Sequence, residues 1–513
     1  MESYKSILID HLFDAVRNEY GHAELKNSAF TEHGFYCDFD LPEPIGPEAF
    51  GRISAGMRDC GLPGAYELTS FSGAYENDGA SGVMLQRIYA TAFDNEKDFE
   101  EHKLLLAEAA LRDHKTLGRR LKLFLSSEEA GGGLIMWSPR GAALRMALER
   151  FAQEAHVLNG YEWVYTPHIG RERLWRTSGH LDYYRDSMYA PLDVDGENFY
   201  LKPVNCPFHI LIYNSELRSY RDLPLKYAEF GTVYRYELSG ALSGLTRVRG
   251  FTQDDAHIIC TPEQLGGEIR NALKFSLYIL RSFGLTDFTA YISTKPGRKA
   301  IGSDGEWEVA TRELTEAVES EGLRYFIDEG GGAFYGPKID LKLRDALGNE
   351  WQCSTIQFDF NIPPRFKMSY VGRDGKKHTP FMVHRALFGS IERFAALLIE
   401  HYRGDFPLWF APVQAGIVPV AERHAGYAEE LKNRLTAAGL RVRTNADDVH
   451  MREKIKRLEQ DKTPYALVVG DRDVAAGGFS VRCRKNGDLG FMTYEKFTEH
   501  ISDDIELGRA KKI

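Results

Sequence analysis

The chain has 513 residues, of which 43% are hydrophobic and 27% are charged, and its formal net charge is −10. This length exceeds what one hydrophobic core supports, so we expect roughly two to four domains. The acidic charge argues against a protein that coats nucleic acid non-specifically, and no apolar run reaches the roughly 18 residues of a membrane-spanning helix. The six cysteines show no paired spacing and the first residues resemble no signal peptide, so we expect a cytoplasmic protein.

The first quarter of the chain reads as two regions. Residues 1–65 combine a helical start with the stretch "DLPEPIGPEAF", whose prolines predict a turn into a second helix. Residues 66–125 contain the charged stretch 94–120, whose apolar stripe predicts one solvent-exposed helix. We therefore expect 66–125 to be a helical linker region that ends before the glycine-rich joint "SSEEAGGGL".

Residues 126–405 alternate short apolar-rich runs with amphipathic helices. Runs such as "VRGFTQDDAHII" and "CSTIQFDFNI" have the alternation of strands, which predicts an antiparallel sheet covered by helices on one face. After the prolines of "GDFPLWFAPVQ", residues 406–513 change to strand–helix–strand alternation, which predicts a small α/β domain with a mostly parallel sheet. The expected fold class is therefore α+β with several domains.

Arginines gather in one segment of this acidic chain. Arg235, Glu237, Arg247 and Arg249 lie on two predicted strands and their connecting loop, and Phe251 follows. Arginines on strands are usually solvated surface, but guanidinium groups also bind phosphate oxygens and stack on purine rings. No P-loop or dinucleotide-binding glycine motif competes for a nucleotide. The cluster with its aromatic ring is therefore a candidate nucleotide site.

Cys206, His257 and His384 lie on three separate predicted elements. A single cysteine or histidine in an apolar strand is often a core residue, and spacing alone does not show that these three meet. If they meet, one thiolate and two imidazoles form a three-ligand zinc site with an open position. No HExxH helix offers an alternative metal site.

Three segments resemble the signature motifs of one family. The stretch "YRYELSGALSGLTRVRGFTQDDAHIIC" is similar to motif 2 of the class II aminoacyl-tRNA synthetases in their threonyl form. "NGYEWVYTPHI" resembles motif 1, and "PFMVHRALFGSIERF" resembles motif 3. The resemblance extends from about Gly64 to the last residue. It implies the class II fold, an antiparallel sheet with flanking helices in 126–405, and an anticodon-binding domain in 406–513.

The resemblance implies an ATP site in which Mg²⁺ neutralises the phosphates. Arg235 would hold the α-phosphate and Arg247 the γ-phosphate side. Phe251 and Arg393 would enclose the adenine ring. With two further polar contacts, the implied nucleotide-binding residues are Arg235, Glu237, Arg247, Phe251, Gln352 and Arg393.

The resemblance also implies that zinc, held by Cys206, His257 and His384, binds the amino and hydroxyl groups of threonine. Valine has the shape of threonine but offers the metal no oxygen, whereas a plain pocket separates such pairs only about 10²-fold. The implied amino-acid contacts are those of Asp255, Tyr335 and Gln357, with Asp255 accepting the hydroxyl. The implied catalytic contributions are those of Arg235, Gln357, Lys338 and His180, the last near the terminal adenosine of the tRNA.

The region that hydrolyses seryl-tRNA in this family is reduced here. "SILIDHLFDAV" resembles the helix that carries a His-x-x-x-His pair, but Ser6 and Asp10 occupy the two positions. Neither His-x-x-x-His nor Cys-x-x-x-His occurs in the sequence, and we expect no β-grasp domain before Met1. Residues 1–65 are therefore expected to be an inactive editing remnant, with a separate deacylase clearing seryl-tRNA.

The implied activity is threonine–tRNA ligation, with tRNA(Thr), threonine and ATP as partners, no membrane partner and, from motif 1, a homodimer. The helix "MREKIKRLEQDK" would present a basic face to the anticodon through Arg452, Lys454 and Arg457, among others. Two alternatives stay open: an enzyme that passes activated threonine to another acceptor, and a non-catalytic regulator. The anticodon-like region argues against the first, and the complete set of motif arginines and zinc-ligand candidates argues against the second.

Overall fold

The computed structural model describes residues 2–31, 33–58, 65–75, 84–297, 300–345, 348–445 and 447–513. The chain forms two compact units, residues 1–110 and Leu111–Ile513. Among the described residues, no helix combines the length and the apolar character that crossing a membrane requires.

The first unit is an antiparallel sheet with helices packed on it. Its elements, up to residue 112, are α1 (Glu2–Tyr20), β1 (Glu24–Thr31), β2 (Gly34–Asp40), α2 (Pro47–Arg58), β3 (Ala65–Tyr75), β4 (Met84–Phe93) and α3 (Glu96–Arg112). The strands pair in the order β1-β2-β4-β3. Leu8, Leu12 and Val16 recur every fourth residue on α1, which gives the helix an apolar stripe that packs into the core.

Two expectations for this region differ from the structure. The expected border between residues 65 and 66 falls at the start of β3, which pairs with β4 along its length, so the sheet continues past that point. The expected helical linker 66–125 therefore contains two strands of the first unit.

Ser6 and Asp10 are exposed on α1 and, four residues apart, share one face of the helix.

The second unit opens with a short helix, α4 (His114–Arg120). Asp113 caps this helix, and its carboxylate accepts the backbone N–H groups of Lys115 and Thr116. The single helix predicted over 94–120 is therefore two helices. An aspartate that binds free amides ends the preceding helix and starts the next one.

An eight-stranded sheet forms the centre of the second unit. The elements of this region are β5 (Phe124–Leu125), β6 (Met136–Trp137), α5 (Pro139–Leu158), β7 (Glu162–Trp163), β8 (Ile169–Arg171), α6 (Glu172–Ser178), α7 (His180–Tyr183), β9 (Leu192–Val194), β10 (Glu197–Leu201), α8 (Cys206–Asn214), β11 (Leu225–Tyr234), β12 (Gly250–Cys260), α9 (Leu265–Ser282), β13 (Phe288–Ser293), α10 (Asp304–Ser320), β14 (Tyr325–Asp328), β15 (Lys338–Arg344), β16 (Glu350–Asp359), α11 (Ile362–Arg365), β17 (Tyr370–Val371), β18 (Lys377–His378), β19 (Phe381–Ala386) and α12 (Ile391–His401). The strand order is β14-β13-β15-β16-β19-β12-β11-β7, antiparallel except at the outer pairs β11–β7 and β13–β14. The predicted antiparallel sheet is confirmed.

Helices cover one face of this sheet. Buried side chains of α5, α9, α10 and α12 form one apolar core with the strands. On β12, Ala256 and Ile258 belong to this core, whereas the alternate residues Asp255 and His257 belong to the opposite face. At these two positions the second face carries polar side chains.

The C-terminal region forms a smaller sheet. Its elements are β20 (Ala415–Pro419), α13 (Ala425–Ala437), β21 (Val442–Thr444), α14 (Met451–Gln460), β22 (Tyr465–Val469), α15 (Asp471–Ala475), β23 (Gly478–Cys483), β24 (Gly487–Thr493), α16 (Tyr494–His500) and α17 (Ser502–Glu506). The strand order is β21-β20-β22-β23-β24. The sheet is parallel over its first three strands only, because β23 and β24 form an antiparallel hairpin at one edge.

Replacing Phe151 by alanine tests the packing of α5 in the core. The ring centroid of Phe151 lies 5.1 Å from that of Trp409 and 5.2 Å from that of Phe283. We expect the free energy of unfolding to fall by about 3–5 kcal/mol, because the change removes buried apolar contacts and leaves a cavity. Denaturant unfolding measures this. Gln153→Ala, at an exposed position of α5, is the control and should change stability by less than about 0.5 kcal/mol; equal losses would contradict the packing.

Candidate active site

A cavity of about 430 Å³ opens on the sheet face opposite the helices. Every residue predicted to contact nucleotide, amino acid or metal, or to act in catalysis, lines it: His180, Cys206, Arg235, Glu237, Arg247, Phe251, Asp255, His257, Tyr335, Lys338, Gln352, Gln357, His384 and Arg393. These residues come from distant parts of the sequence. The fold therefore brings the two candidate sites, for nucleotide and for metal, into one space.

One row of cross-strand neighbours lies beneath the cavity. Lys338 on β15 pairs with Gln357 on β16, and Gln357 pairs with His384 on β19. His384 in turn pairs with His257 on β12. Directly opposed residues on neighbouring strands have their side chains on the same face of the sheet, with Cβ atoms about 4.5–5.5 Å apart. The sheet register therefore places two metal-ligand candidates beside two polar residues without any loop.

Strand β12 contributes alternate residues to the lining: Phe251, Gln253, Asp255 and His257. Successive side chains on a strand point to opposite faces, so these residues share the cavity face. Asp254, between them, accepts instead the backbone N–H groups of Leu387 and Phe388, at 2.8 and 2.9 Å. The two aspartates of the sequence "QDDAH" therefore differ in their contacts: Asp255 lines the cavity, whereas Asp254 binds backbone groups on the other face of the sheet.

Ligand atoms of Cys206, His257 and His384 lie within 4.8 Å of one another, and all three residues are buried. Nε2 of His257 is 3.0 Å from Nδ1 of His384, close to the separation of about 3.3 Å expected for two imidazole nitrogens on one tetrahedral zinc ion. Burial raises the pKa of the Cys206 thiol and lowers the pKa of His257. A divalent cation would stabilise the thiolate and the neutral imidazoles together, so this donor set fits zinc.

The imidazoles of His257 and His384 each have an inner nitrogen, which faces the other histidine, and an outer nitrogen, which faces away from it. Each outer nitrogen is linked to a carboxylate by hydrogen bonds. Nε2 of His384 is 2.9 Å from Oδ2 of Asp359. Nδ1 of His257 is 2.8 Å from Nδ1 of His209, whose Nε2 is 3.1 Å from Oε2 of Glu229. Since the carboxylates take the protonated nitrogens, the inner nitrogens of His257 and His384 are the ones with free lone pairs. Sequence reasoning misses His209, although its place three residues after a ligand candidate on α8 is a usable signal.

The loop between β11 and β12, residues 235–249, holds its arginines with nearby acceptors. Nε of Arg247 donates to Oε2 of Glu237 at 2.9 Å. Nε of Arg235 donates to the carbonyl of Pro203 at 3.2 Å, and its guanidinium lies 5.1 Å from the ring centroid of Phe251. The guanidinium groups are thus oriented before any anion arrives, which favours binding of a phosphate chain.

Arg393 lies in the first turn of α12, where its backbone N–H donates to the capping hydroxyl of Ser390 at 3.1 Å. Its Nε donates to the carbonyl of Thr246 at 3.0 Å and its Nη1 to the carbonyl of Gln352 at 2.9 Å. Burial lowers the pKa of Arg393, but the ordinary pKa of arginine lies so far above neutrality that the group stays charged. The result is a fixed, flat cation at the edge of the cavity.

His180 is buried at the wall of the cavity, with Nδ1 2.8 Å from the hydroxyl of Ser178. Burial is the chief cause that lowers its pKa to about 3. The imidazole is therefore neutral at physiological pH. Lys338 forms an ion pair with Asp340, whose carboxylate also accepts Nε2 of Gln352 at 2.7 Å. The ammonium group is thus held at one end of the cross-strand row.

Gln253 and Thr355 are among the polar residues of the lining that have no predicted role. Gln253 lies midway between Phe251 and Asp255 on β12, so the alternation of the strand alone would have placed it in the cavity. The hydroxyl of Thr355 donates to Asp340 at 2.8 Å, a contact that depends on the register of β15 and β16 and has no signal in the sequence.

Three residues of the predicted basic surfaces have partners within the chain. Lys454 is buried, because it lies on the face of α14 that packs on the sheet, and its Nζ donates to the carbonyl of Pro419 at 3.1 Å. Arg457 forms an ion pair with Asp447 at 2.7 Å. Arg249 donates its Nε to a carbonyl of its own loop at 2.9 Å. The basic face of α14 is therefore smaller than predicted, and one arginine of the 235–249 cluster supports the loop.

Comparison with known proteins adds independent evidence. Residues 189–402 match the tRNA synthetase class II core domain (G, H, P, S and T), and residues 414–504 match an anticodon binding domain. A threonine–tRNA ligase of Aquifex aeolicus is 51% identical over 446 residues, 87% of this chain and 70% of that relative. One of Sulfurihydrogenibium sp. is 50% identical over 442 residues, 86% of this chain and 69% of the relative. The solved RNA binding domain of threonyl-tRNA synthetase from Cryptosporidium parvum has a TM-score of 0.73 and 37% identity, covering 76% of this chain and 98% of that one.

The depressed pKa of His180 predicts an imidazole that does not titrate near neutrality. In protein with ¹³C-labelled histidine, we expect the His180 ring signal, assigned by its loss in His180→Gln, to stay unchanged from about pH 5 to pH 8. The lowered pKa, about 3, keeps the neutral form dominant over that whole range. The same residue in denatured protein should titrate near about 6.5. A midpoint between about pH 6 and pH 7 in the folded protein would contradict the burial described.

Proposed function

Because the chain belongs to the threonyl-tRNA synthetases of class II, we propose that its cavity selects threonine through a zinc ion held by Cys206, His257 and His384. The activity of the chain is that of its family, ATP-dependent ligation of threonine to tRNA, with Mg²⁺ on the nucleotide. Threonine first displaces pyrophosphate from ATP to form threonyl-adenylate. The terminal ribose of the tRNA then takes the threonyl group, and AMP leaves.

The orientation of the two imidazoles is the observation that carries the zinc proposal. Their outer nitrogens lead to Asp359 and, through His209, to Glu229, so their inner nitrogens present lone pairs to one point beside Cys206. A zinc ion bound there supplies a Lewis acid for an amino and a hydroxyl group. Valine lacks the hydroxyl, so it would leave the metal without one ligand.

The residues around the metal candidates are suited to hold the amino acid. Asn205 donates to one oxygen of Asp255 at 2.9 Å, which orients this carboxylate at the wall of the cavity. Burial raises the pKa of Asp255, and a nearby cation would favour the ionised form that accepts the threonine hydroxyl. Nε2 of Gln357 donates to the carbonyl of Gly336 at 3.1 Å. This bond turns the amide oxygen of Gln357 away from that carbonyl. We propose that this oxygen binds the amino acid.

We assign the nucleotide to the other half of the cavity. Arg235 takes the α-phosphate, at which the threonine carboxylate attacks, and Arg247 takes the phosphates that leave as pyrophosphate. Fixed guanidinium groups lower the barrier because they face the charge that develops in the transition state. Phe251 and Arg393 enclose adenine. In the second step, we assign neutral His180 a place beside the attacking ribose hydroxyl, from which its imidazole accepts a hydrogen bond.

We further propose that this chain does not hydrolyse seryl-tRNA. Serine keeps the hydroxyl that the zinc would bind and lacks only one methyl group, a difference worth about 1–3 kcal/mol. Ser6 and Asp10, which stand where the family has a histidine pair, offer no imidazole on the exposed face of α1. A separate deacylase acting in trans is then required for accurate translation.

We propose a cytoplasmic homodimer formed through the motif 1 region. Several large apolar side chains of motif 1 and of the helix that precedes it, α5, are exposed in the single chain: Met146, Val157, Leu158 and Tyr165. Exposed apolar side chains that cluster in one region favour burial against a partner. The five cysteines among the described residues are all unpaired, which agrees with a reducing compartment.

Removing the thiol of Cys206 tests the zinc site. We expect Cys206→Ala to lose most of its bound zinc, measured by elemental analysis after gel filtration, because two imidazoles alone bind the ion weakly. Cys260→Ala is the matched control, since Cys260, the last residue of β12, is also buried but belongs to the apolar core. It should keep about one zinc ion per chain. Equal zinc content in the two variants would refute the assignment.

Preformed seryl-tRNA tests the editing proposal. Incubated with the protein, seryl-tRNA should decay at its spontaneous rate, because the remnant lacks the histidine and cysteine motifs. Addition of a seryl-tRNA deacylase provides the positive control. Hydrolysis at least about tenfold above the spontaneous rate, a difference of about 1.4 kcal/mol in the barrier, would refute the proposal.

A further inference from the structure

We propose that His114 positions the motif 2 loop, residues 235–249, and so sets the affinity for ATP; this inference rests on the proposed ATP contacts of that loop. His114 is the first residue of α4 and is 3% exposed. Its Nε2 accepts the backbone N–H of Leu245 at 3.1 Å, across 131 residues of sequence. A segment that precedes the catalytic sheet in the chain thus holds the middle of the loop.

The imidazole of His114 is also fixed from its other side. Nδ1 lies 2.7 Å from Oε1 of Glu400, and the backbone N–H of His114 donates to the same oxygen at 3.2 Å. Since Nε2 faces an N–H donor, the ring proton lies on Nδ1 and is donated to Glu400. Each ring nitrogen therefore has one partner of the required kind, and rotation of the ring would break two buried hydrogen bonds.

Two adjacent residues of the loop, Leu245 and Thr246, are hydrogen-bonded to side chains that are connected to α12. The N–H of Leu245 is held by His114, which is bonded to the end of α12, and the carbonyl of Thr246 accepts Nε of Arg393 at 3.0 Å in the first turn of α12. Arg247 follows directly in sequence. Its guanidinium therefore extends from a backbone that is fixed at two successive residues, and loss of one anchor would displace it from the phosphates.

Gly244 permits the close contact between loop and ring. Its φ is +47°, and a Cβ at this position would lie 2.2 Å from Nε2 of His114. A side chain at residue 244 would therefore push the loop away from the imidazole, since so short a contact cannot be relieved by a rotamer change. The contact is a close approach of backbone to ring rather than loose packing of two side chains.

A metal ion is a poorer explanation of the same cluster. Asp113, His114 and Glu400 place ligand atoms within 4.8 Å of one another. However, Nε2 of His114 is engaged by Leu245 and Nδ1 by Glu400, and the Asp113 carboxylate caps α4. A metal ion would have to displace hydrogen bonds that already satisfy these buried groups. The cluster therefore acts through the loop.

Two substitutions separate the contacts of the two ring nitrogens. His114→Asn keeps a donor near the Nδ1 position for Glu400 but removes the acceptor for Leu245. His114→Gln reaches further and offers an amide oxygen to Leu245. In threonine-dependent ATP–pyrophosphate exchange, we expect the KM for ATP to rise about tenfold in His114→Asn and to recover most of that loss in His114→Gln. The KM for threonine should change by less than about twofold in both variants.

His156→Asn is the matched control. His156 is 1% exposed, and its Nδ1 is bonded to the carbonyl of Ala152 within α5, away from the loop. We expect this variant to lose stability but to keep the wild-type KM for ATP. Hydrogen exchange of the peptide covering residues 243–249, followed by mass spectrometry, gives a readout apart from activity. Exchange there should be faster in His114→Asn than in His114→Gln or His156→Asn.

Equal KM values for ATP and equal loop exchange in all three variants would overturn the proposal. If His114→Asn does not fold, Gly244→Ala takes its place. It should raise the KM for ATP and the loop exchange in the same way, and wild-type values would again overturn the proposal. A wild-type protein without threonine-dependent exchange would refute the proposed function instead, whereas hydrogen exchange of the loop would still test the anchor.

Discussion

The register of β12 within the eight-stranded sheet is the constraint on which the cavity depends. A shift of one residue would turn His257 toward the helix-covered core and bring Ile258 to the cavity. Asp254 opposes this shift, because its buried carboxylate accepts the N–H groups of Leu387 and Phe388 directly after β19. The chemistry on one face of the sheet is thus held in place by a polar contact on the other.

The two halves of the cavity are supported in different ways. On the metal side, a buried network runs from the imidazole of His257 through His209 to Glu229, which also lies 3.4 Å from Nζ of Lys202. Buried charges are tolerated when each is paired and hydrogen-bonded, and such a network leaves its members little freedom. On the nucleotide side, the arginines lie on a loop that is anchored at Leu245 and Thr246. A buried network therefore supports the proposed amino-acid site, whereas the proposed nucleotide site depends on a few loop contacts.

The family resemblance, rather than spacing or periodicity, implies most of the residues that line the cavity, because spacing alone does not show that distant segments meet. The paired strands β11 and β12 and the residues on their exposed face follow from the alternation of residues. The sequence does not reveal contacts between distant segments, such as that of His114 with Leu245, because no local pattern encodes them. Asp113 illustrates a local error: a cap inside a helix-like stretch divides it in two. Lys454 shows that one lysine of a basic helix can face the sheet.

We propose that a metal ion at Cys206, His257 and His384 selects the amino acid. ATP–pyrophosphate exchange, measured with threonine, serine and valine before and after metal removal, tests it most directly. We expect exchange with threonine and serine, and exchange with valine that is slower by more than about 10²-fold. Metal-free protein should lose the threonine reaction and recover it when zinc is added. Exchange with valine at the threonine rate, or full exchange with threonine in metal-free protein, would contradict it.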